Sequence, residues 1–192
     1  MKRAAMAAVV MGCTLISCRA PWTVRPIDAN EPDTGSGRRF DAAAYAASIW
    51  ESRVVPAALH APDFAAAVRA GHPTLAKGIG RVLRIDAAGQ RVLLDVAPYD
   101  GKPDAQLPTG GISGTALRDA LPFIQFSQFV NQVDFAHAAN ALDSRAAAVA
   151  SAALRGARLG TVLSFAGALD LSAGDGVPEI VPVVLTREPE RP

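Results

Sequence analysis

Cysteine is nearly absent from this sequence, which has only Cys13 and Cys18 among its 192 residues. Both lie within the first 18 residues, so the chain from Arg19 onward carries no thiol. A domain built from those later residues can have no disulfide, no thiolate metal site and no catalytic cysteine.

Aromatic residues and net charge are also scarce. Aromatics make up 6% of the chain, and much of its 50% hydrophobic content is alanine, which buries little area. The core must therefore come from a few clusters of Leu, Val, Ile and Phe. If Lys2 and Arg3 are set aside, 17 basic groups remain against 18 acidic ones. This balance gives no electrostatic basis for binding nucleic acid or for a polybasic contact with a membrane.

Motifs of catalysis and metal binding are missing as well. No serine lies in a G-x-S-x-G elbow, and His60, His72 and His137 are far apart in the sequence. The acids in residues 95–104 and 170–179 lack the fixed offsets of a calcium loop, and we interpret them as turn carboxylates. We therefore expect a non-enzymatic protein with no catalytic residue, no metal and no cofactor.

The N-terminus has the pattern of a bacterial lipoprotein signal. Lys2 and Arg3 precede residues 4–16, an uncharged and mostly apolar run that is too short for an ordinary membrane span. The run ends in Leu-Ile-Ser-Cys at residues 15–18, which resembles the site where a small residue precedes a lipidated cysteine. We predict a signal peptide over residues 1–17, and a diacylglyceryl thioether and an acylated amine on Cys18.

Two alternatives to Cys18 are open. Cys13 ends a second, shorter match at residues 10–13, and the leader could be an ordinary secretory signal with a chance cysteine. With Cys18 modified, acyl chains hold the protein on a membrane, since each buried methylene contributes ~0.8 kcal/mol. The protein would then face the periplasm. Arg19 in place of an aspartate favours the outer membrane, and the inner membrane stays open.

Beyond Cys18 the sequence divides into three parts. Residues 18–39 have the proline, glycine and serine content of a lipidated tether. Residues 40–76 predict two helices packed on the core, the first beginning after Asp41 and ending before Pro56. Residues 77–187 predict five strands with a helical segment after the third. We place the strands near residues 78–86, 91–96, 104–107, 161–171 and 179–186.

Three strands, a helix and two further strands are the order of an OB-fold, a small, partly open five-stranded barrel. We therefore predict an α+β fold with a mainly β core: an OB-like barrel with a helix between strands 3 and 4, preceded by N-terminal helices. The alternative is an α+β sandwich with an antiparallel sheet. Gly167 is expected at a bulge, and Pro182 marks strand 5 as an edge.

Residues 114–142 are predicted to form the central helix. Phe126, Phe129, Val130 and Val133 would be its buried stripe, and a break is expected at residues 143–144. Planar amides and an Arg–carboxylate pair suit sugar hydroxyls, so this stretch also holds the candidate ligand-binding residues. They are Arg118, Asp119, Gln125, Gln128, Asn131 and Gln132, with Asn140 further along. The same groups could instead bond to neighbouring backbone and hold the fold.

Four stretches are similar to an uncharacterised family of predicted bacterial periplasmic lipoproteins. They lie within residues 22–28, 40–56, 77–82 and 114–142. The resemblance implies a link to carbohydrate uptake, because such proteins are often encoded beside ribose-type sugar ABC transporters. It supplies no catalytic residue. The cysteine lacks the usual preceding glycine, and the region between Phe64 and Lys77 is shortened.

The sequence therefore favours a non-enzymatic cell-envelope lipoprotein, a binding or accessory module linked to carbohydrate ABC uptake. Its expected partners are the membrane, through the lipid on Cys18, and either sugar ABC transporter components or a small polar ligand. The first alternative is a scaffold or protein-interaction lipoprotein with no small-molecule site, which would expose an apolar patch near Trp50 or Phe123. The second is a hydrolase, which requires a base and a nucleophile within hydrogen-bond reach.

Overall fold

Three helices, three strands, two helices and two strands follow one another in the computed structural model, which describes residues 39–86, 90–172 and 176–189. The helices are α1 (Ala42–Ile49), α2 (Val55–Leu59), α3 (Phe64–Ala70), α4 (Ala116–Asp119) and α5 (Gln132–Leu154). The strands are β1 (Thr74–Ile85), β2 (Arg91–Val96), β3 (Ala105–Pro108), β4 (Val162–Asp170) and β5 (Glu179–Arg187). The predicted signal peptide, Cys18 and the tether up to residue 38 lie outside the described residues.

The five strands close into a barrel in the order β1-β2-β3-β5-β4. Neighbouring strands are antiparallel except β3 and β5, which run parallel. Alternate side chains of every strand fill the interior, among them Val82, Leu94, Leu107, Leu163, Phe165 and Ile180. The predicted OB-like barrel is therefore confirmed, with helices between strands 3 and 4 and before strand 1. The alternative, an α+β sandwich with an antiparallel sheet, is wrong because the sheet is closed.

One buried polar residue joins β3 to β5. Gln106 lies opposite Glu179, the register pair of this parallel contact. Its backbone N–H donates to the carbonyl oxygen of Pro178 at 2.9 Å, and its amide Nε2 donates to the carbonyl of Val177 at 3.2 Å. The Nη1 of Arg91 donates to its Oε1 at 3.4 Å. The contact that closes the barrel thus uses the side chain of Gln106 as well as its main chain.

The strand boundaries agree with the prediction except at β1, which begins at Thr74 instead of Gly78. Residues 74–76 were assigned to the N-terminal helical part, but they pair with residues 167–169 of β4. Gly167 lies at a register shift in the β4–β5 pair, as predicted for a bulge. The predicted edge position of strand 5 is wrong, because β5 pairs with both β3 and β4 in the closed barrel. Pro182 stands opposite Gly167, beyond the residue of β5 that pairs with β3.

The first helical segment extends beyond Pro56, before which the sequence predicted its end. The Asp41 carboxylate accepts from the Ala44 N–H at 2.9 Å, so the predicted N-cap is confirmed. The predicted end before Pro56 is wrong, because a π-helical turn (Trp50–Val54) widens the helix and α2 continues to Leu59. The wider turn brings Pro56 into the first turn of α2, where its missing N–H costs little.

The predicted central helix is the largest error. Helix α5 begins at Gln132, because the Asn131 side chain caps it by accepting from the Asp134 N–H at 2.8 Å. It then runs through residues 143–144 without the predicted break. Val130 is 93% exposed and Val133 is 60% exposed, so the predicted apolar stripe is wrong. The buried face consists of Ala138, Ala139, Leu142, Asp143, Ala146 and Ala150.

Candidate functional site

The six predicted ligand-binding residues run from the end of α4 to the first residue of α5, and local contacts occupy most of them. Arg118 donates from Nε and Nη2 to Oδ1 of Asp119 at 2.8 and 2.7 Å. Its guanidinium also lies 3.8 Å from the centroid of the Phe135 ring, a cation–π contact. The structure thus confirms that Arg118 and Asp119 form an intramolecular pair.

The amides of the same stretch bracket a short 3₁₀ turn (Phe126–Gln128). The Gln125 N–H donates to Oε1 of Gln128 at 3.0 Å, and Nε2 of Gln125 donates to the Pro122 carbonyl at 3.4 Å. Asn131 caps α5, and Gln132 is an exposed residue of its first turn. These bonds fix the loop, and a ligand-binding role for the six residues stays a prediction.

An open groove of about 510 Å³ lies between α1 and α5, apart from this loop. From α5 it is lined by His137, Asn140, Ala141, Ser144, Arg145 and Ala148, and from α1 by Ala42 and Ala43. The α5 positions recur at intervals of three and four residues, so they share one helical face. Half of the lining residues are alanines, and the polar ones, His137, Asn140, Ser144 and Arg145, all come from α5.

Two contacts fix polar side chains of the groove, those of Arg145 and Ser144. The guanidinium of Arg145 lies 5.8 Å from the ring centroid of Trp50, which is itself 4% exposed. The Ser144 hydroxyl donates to the Asn140 carbonyl at 2.8 Å. The Asn140 side chain is exposed and offers both a donor and an acceptor. Sequence reasoning named Asn140 as a candidate and considered His137 only as an isolated histidine. It missed Ser144 and Arg145, because the expected break at 143–144 separated them from the rest of the helix.

Asp143 is a buried carboxylate that the sequence did not single out as functional. It is 3% exposed, and its Oδ2 has no hydrogen-bond partner among the described residues. Burial raises the pKa of Asp143 to about 6, against the opposing effects of a hydrogen bond from the Gly114 backbone and the positive charge of Arg118. This carboxylate ties the loop before α4 to the middle of α5.

Replacing this carboxylate should change how stability depends on pH. An unfolded aspartate has a pKa near 3.9, so the folded state binds this proton more tightly, and stability falls as pH rises from about 4 to 6. Asp143→Asn removes the buried charge, and we expect it to raise the free energy of unfolding by ~1–3 kcal/mol above pH 6. Below about pH 4 the gain should vanish. Urea unfolding between pH 4 and 8 measures this, with the exposed Asp63→Asn as control. Equal pH slopes for Asp143→Asn and the parent would refute the assignment.

Three further acids lie together, since Asp95, Asp100 and Asp104 bring carboxylate oxygens within 4.8 Å of one another. Burial opposes the charge on Asp95, but hydrogen bonds from Arg81 and from the backbone of Asp100 and Gly101 outweigh it and hold its pKa below the usual value. The Val96 N–H donates to Asp104 at 2.8 Å. These bonds agree with their interpretation as turn carboxylates.

Comparison with known proteins places the fold and the family. A crystal structure of an OB-fold protein from Thermotoga maritima superposes with a TM-score of 0.64 over 79% of this chain and 100% of its own, at 16% identity. That similarity supports the barrel alone. No curated protein matches the sequence. A family model described as predicted periplasmic lipoprotein matches residues 8–186, which agrees with a lipid-anchored, periplasm-facing location. The chain therefore belongs to the DUF2291 family of predicted periplasmic lipoproteins.

Proposed function

We propose that this protein is a non-enzymatic binding module, anchored through Cys18, that takes a small polar ligand such as a sugar into the groove between α1 and α5. The groove carries the proposal. We propose further that the module serves carbohydrate uptake beside an ABC transporter, which is the role that the family resemblance implies.

The groove fits a ligand of that size and chemistry. Ligand pockets have volumes of roughly 300–1,000 Å³, and this groove has about 510 Å³. The Asn140 amide and the His137 and Arg145 side chains provide donors and acceptors for hydroxyl groups. The small side chains of the lining alanines let the C–H face of a sugar ring approach the helix backbones closely.

The positions of the histidines support a non-enzymatic role. A ring nitrogen of His60 lies 2.7 Å from the Pro56 carbonyl oxygen, and one of His72 lies 3.2 Å from the Pro73 carbonyl. His137 stands in the groove near Ser144, but the Ser144 hydroxyl donates to a backbone carbonyl. The serine is therefore directed away from the contact with a base that a nucleophile needs.

The main alternative is a scaffold lipoprotein with an apolar patch near Trp50 or Phe123. Neither of those two side chains forms such a patch itself, although exposed apolar side chains follow Phe123 in the same loop, from Phe126 onward. Trp50 is 4% exposed, and Phe123 is half-buried with the Arg53 guanidinium 4.0 Å from its ring centroid. The scaffold function therefore becomes an outcome of the ligand test.

A thermal-shift screen of the protein against pentoses, hexoses and polyols tests the proposed function. A ligand present at 100 times its dissociation constant adds ~2.7 kcal/mol to stability, which raises the melting temperature. Asn140→Ala removes an exposed amide and should weaken binding of any hit about tenfold, a change of ~1.4 kcal/mol. Isothermal titration measures the affinity.

Gln128→Ala is the matched control, because it removes an exposed amide from the loop instead of the groove. A loss of affinity in Gln128→Ala with none in Asn140→Ala would move the site to the predicted loop residues. A screen with no hit would favour the scaffold lipoprotein.

A further inference from the structure

Three exposed apolar side chains lie within eight residues of one another: Phe126, 48% exposed, Val130, 93% exposed, and Val133, 60% exposed. We call them the apolar patch. The other large exposed apolar residues of the described chain include no three so close in sequence: Ile79 and Ile85 are both on β1, and the others are Leu59, Tyr99 and Leu159. Single exposed apolar residues are ordinary, whereas a cluster of them usually marks a contact surface.

Aromatic rings pack against one another next to the apolar patch, and Phe126 of the patch is one of them. The ring centroid of Phe135 is 5.6 Å from that of Phe126 and 5.2 Å from that of Phe129. The capping bonds of Gln128 and Asn131 hold the loop and the start of α5 on either side. The loop amides therefore have a structural role, which is to present these apolar side chains in one conformation.

The chain enters the domain beside the apolar patch. Phe40 lies at the beginning of the described residues, and its ring centroid is 5.4 Å from that of Phe129, the residue that precedes Val130. Residues 19–39 separate this entry point from Cys18. A chain spans at most ~3.6 Å per residue, so the entry point cannot lie more than about 80 Å from Cys18.

The charged groups next to the apolar patch are held by local contacts. Arg118 bonds to Asp119, while the Asp134 carboxylate accepts from Nδ2 of Asn131 at 3.2 Å and its backbone N–H donates to Oδ1 of Asn131. The charge of Arg118 is neutralised by Asp119, and the Asp134 carboxylate is held by Asn131. The exposed apolar side chains are therefore the main groups that this surface presents.

We infer that the apolar patch lies on the membrane that carries the lipid of Cys18, with Phe126, Val130 and Val133 in the interfacial region of the bilayer. This inference rests on the lipid anchor of the proposed function and adds an orientation to it. Apolar side chains of interfacial segments enter the boundary between headgroups and acyl chains by about 5–10 Å, and aromatic rings are enriched there.

The orientation has a consequence for the groove. The middle of its α5 wall, near Ala141, lies eight residues along the helix from Val133, or about 12 Å at 1.5 Å per residue. An α5 that stands upright on the membrane would place the groove beyond the headgroups and open to ligand from the periplasm.

The depth of a label at Val130 tests this inference in the full-length lipidated protein. Beyond the signal peptide the only cysteine is Cys18, so Val130→Cys introduces one reactive thiol when Cys18 is lipidated. An environment-sensitive fluorophore on that thiol is read in phosphatidylcholine vesicles with and without nitroxide-labelled lipids. Ser151→Cys, exposed near the far end of α5, is the matched control.

We expect nitroxide lipids to quench the label at position 130 at least threefold more than the label at position 151. Quenching should be unchanged when anionic lipid or 0.5 M salt is added, because the contact is apolar. Val130→Asp, placed in a Val133→Cys reporter, should lower the quenching of that reporter to the level of position 151.

Equal quenching at positions 130 and 151 would overturn the inference. So would shielding of the fluorophore at position 130 from water that disappears when the protein is diluted in the vesicles, since that would show contact with a second copy. Shielding of that fluorophore from water that appears only after another protein is added would equally contradict the inference. Mass spectrometry of the same sample shows whether Cys18 carries its lipid. Titration with sugar measures ligand binding in the groove independently of the membrane contact.

Discussion

Cys18→Ala should abolish lipidation of this protein completely. The thioether needs the sulfur of that residue, so neither labelled palmitate nor the corresponding mass should appear in the variant. Because one acyl chain holds a protein only marginally and several hold it firmly, the loss decides whether the mature chain stays on a membrane. Metabolic labelling with palmitate and mass spectrometry of the purified protein measure the change.

Cys13→Ala is the matched control, since it removes the other cysteine, within the same leader. It should leave the label and the mass unchanged. The reverse pattern, with label lost in Cys13→Ala and kept in Cys18→Ala, would assign lipidation to Cys13. Label in neither variant nor the parent would indicate an ordinary secretory signal.

Gly167→Ala should unfold the barrel or come close to doing so. A Cβ atom at position 167 would lie 2.2 Å from the Val181 carbonyl oxygen and 2.9 Å from Cα of Pro182. Both contacts are with backbone, so relief requires the paired strands β4 and β5 to separate. We expect a loss of more than ~3 kcal/mol, a large part of the stability of a domain of this size.

Urea unfolding followed by circular dichroism measures this loss, with Gly110→Ala as the control. A Cβ at Gly110 would meet no atom within 4 Å, and its φ is not positive, so the midpoint should stay within ~0.5 kcal/mol of the parent. Equal midpoints for Gly167→Ala and Gly110→Ala would show that the bulge can accept a side chain.

The barrel could be predicted from the sequence because local signals agree with the fold. Strand β2 alternates Val92, Leu94 and Val96 on one face, and those residues are buried. Gly167 marked the bulge because a strand interior rarely accepts glycine without such a reason. The order of elements then selected the topology. The length of β1 could not be predicted, because residues 74–76 become a strand only by pairing with β4.

The central helix could not be predicted correctly, because the largest apolar residues of that stretch are not its core. Val130 and Val133 face outward, and the buried stripe of α5 is Ala138, Leu142, Ala146 and Ala150, of which only Leu142 is large. Buried alanines do not stand out in a sequence as core residues. The polar face of the groove was missed for a second reason, since Ser144 and Arg145 lie at and after the predicted break at residues 143–144.

The contact between β3 and β5 has a consequence for a protein held on a surface. A barrel that opened at Gln106 would expose two unpaired strand edges, and free edges are templates for pairing with other chains. Molecules attached to one membrane meet far more often than they would in solution, so such edges would promote association between copies. The backbone N–H of Gln106, bonded to Pro178, and its side-chain amide, bonded to Val177, hold the two edges together. The hydrogen bonds that complete the barrel thus also oppose edge pairing between copies on one membrane.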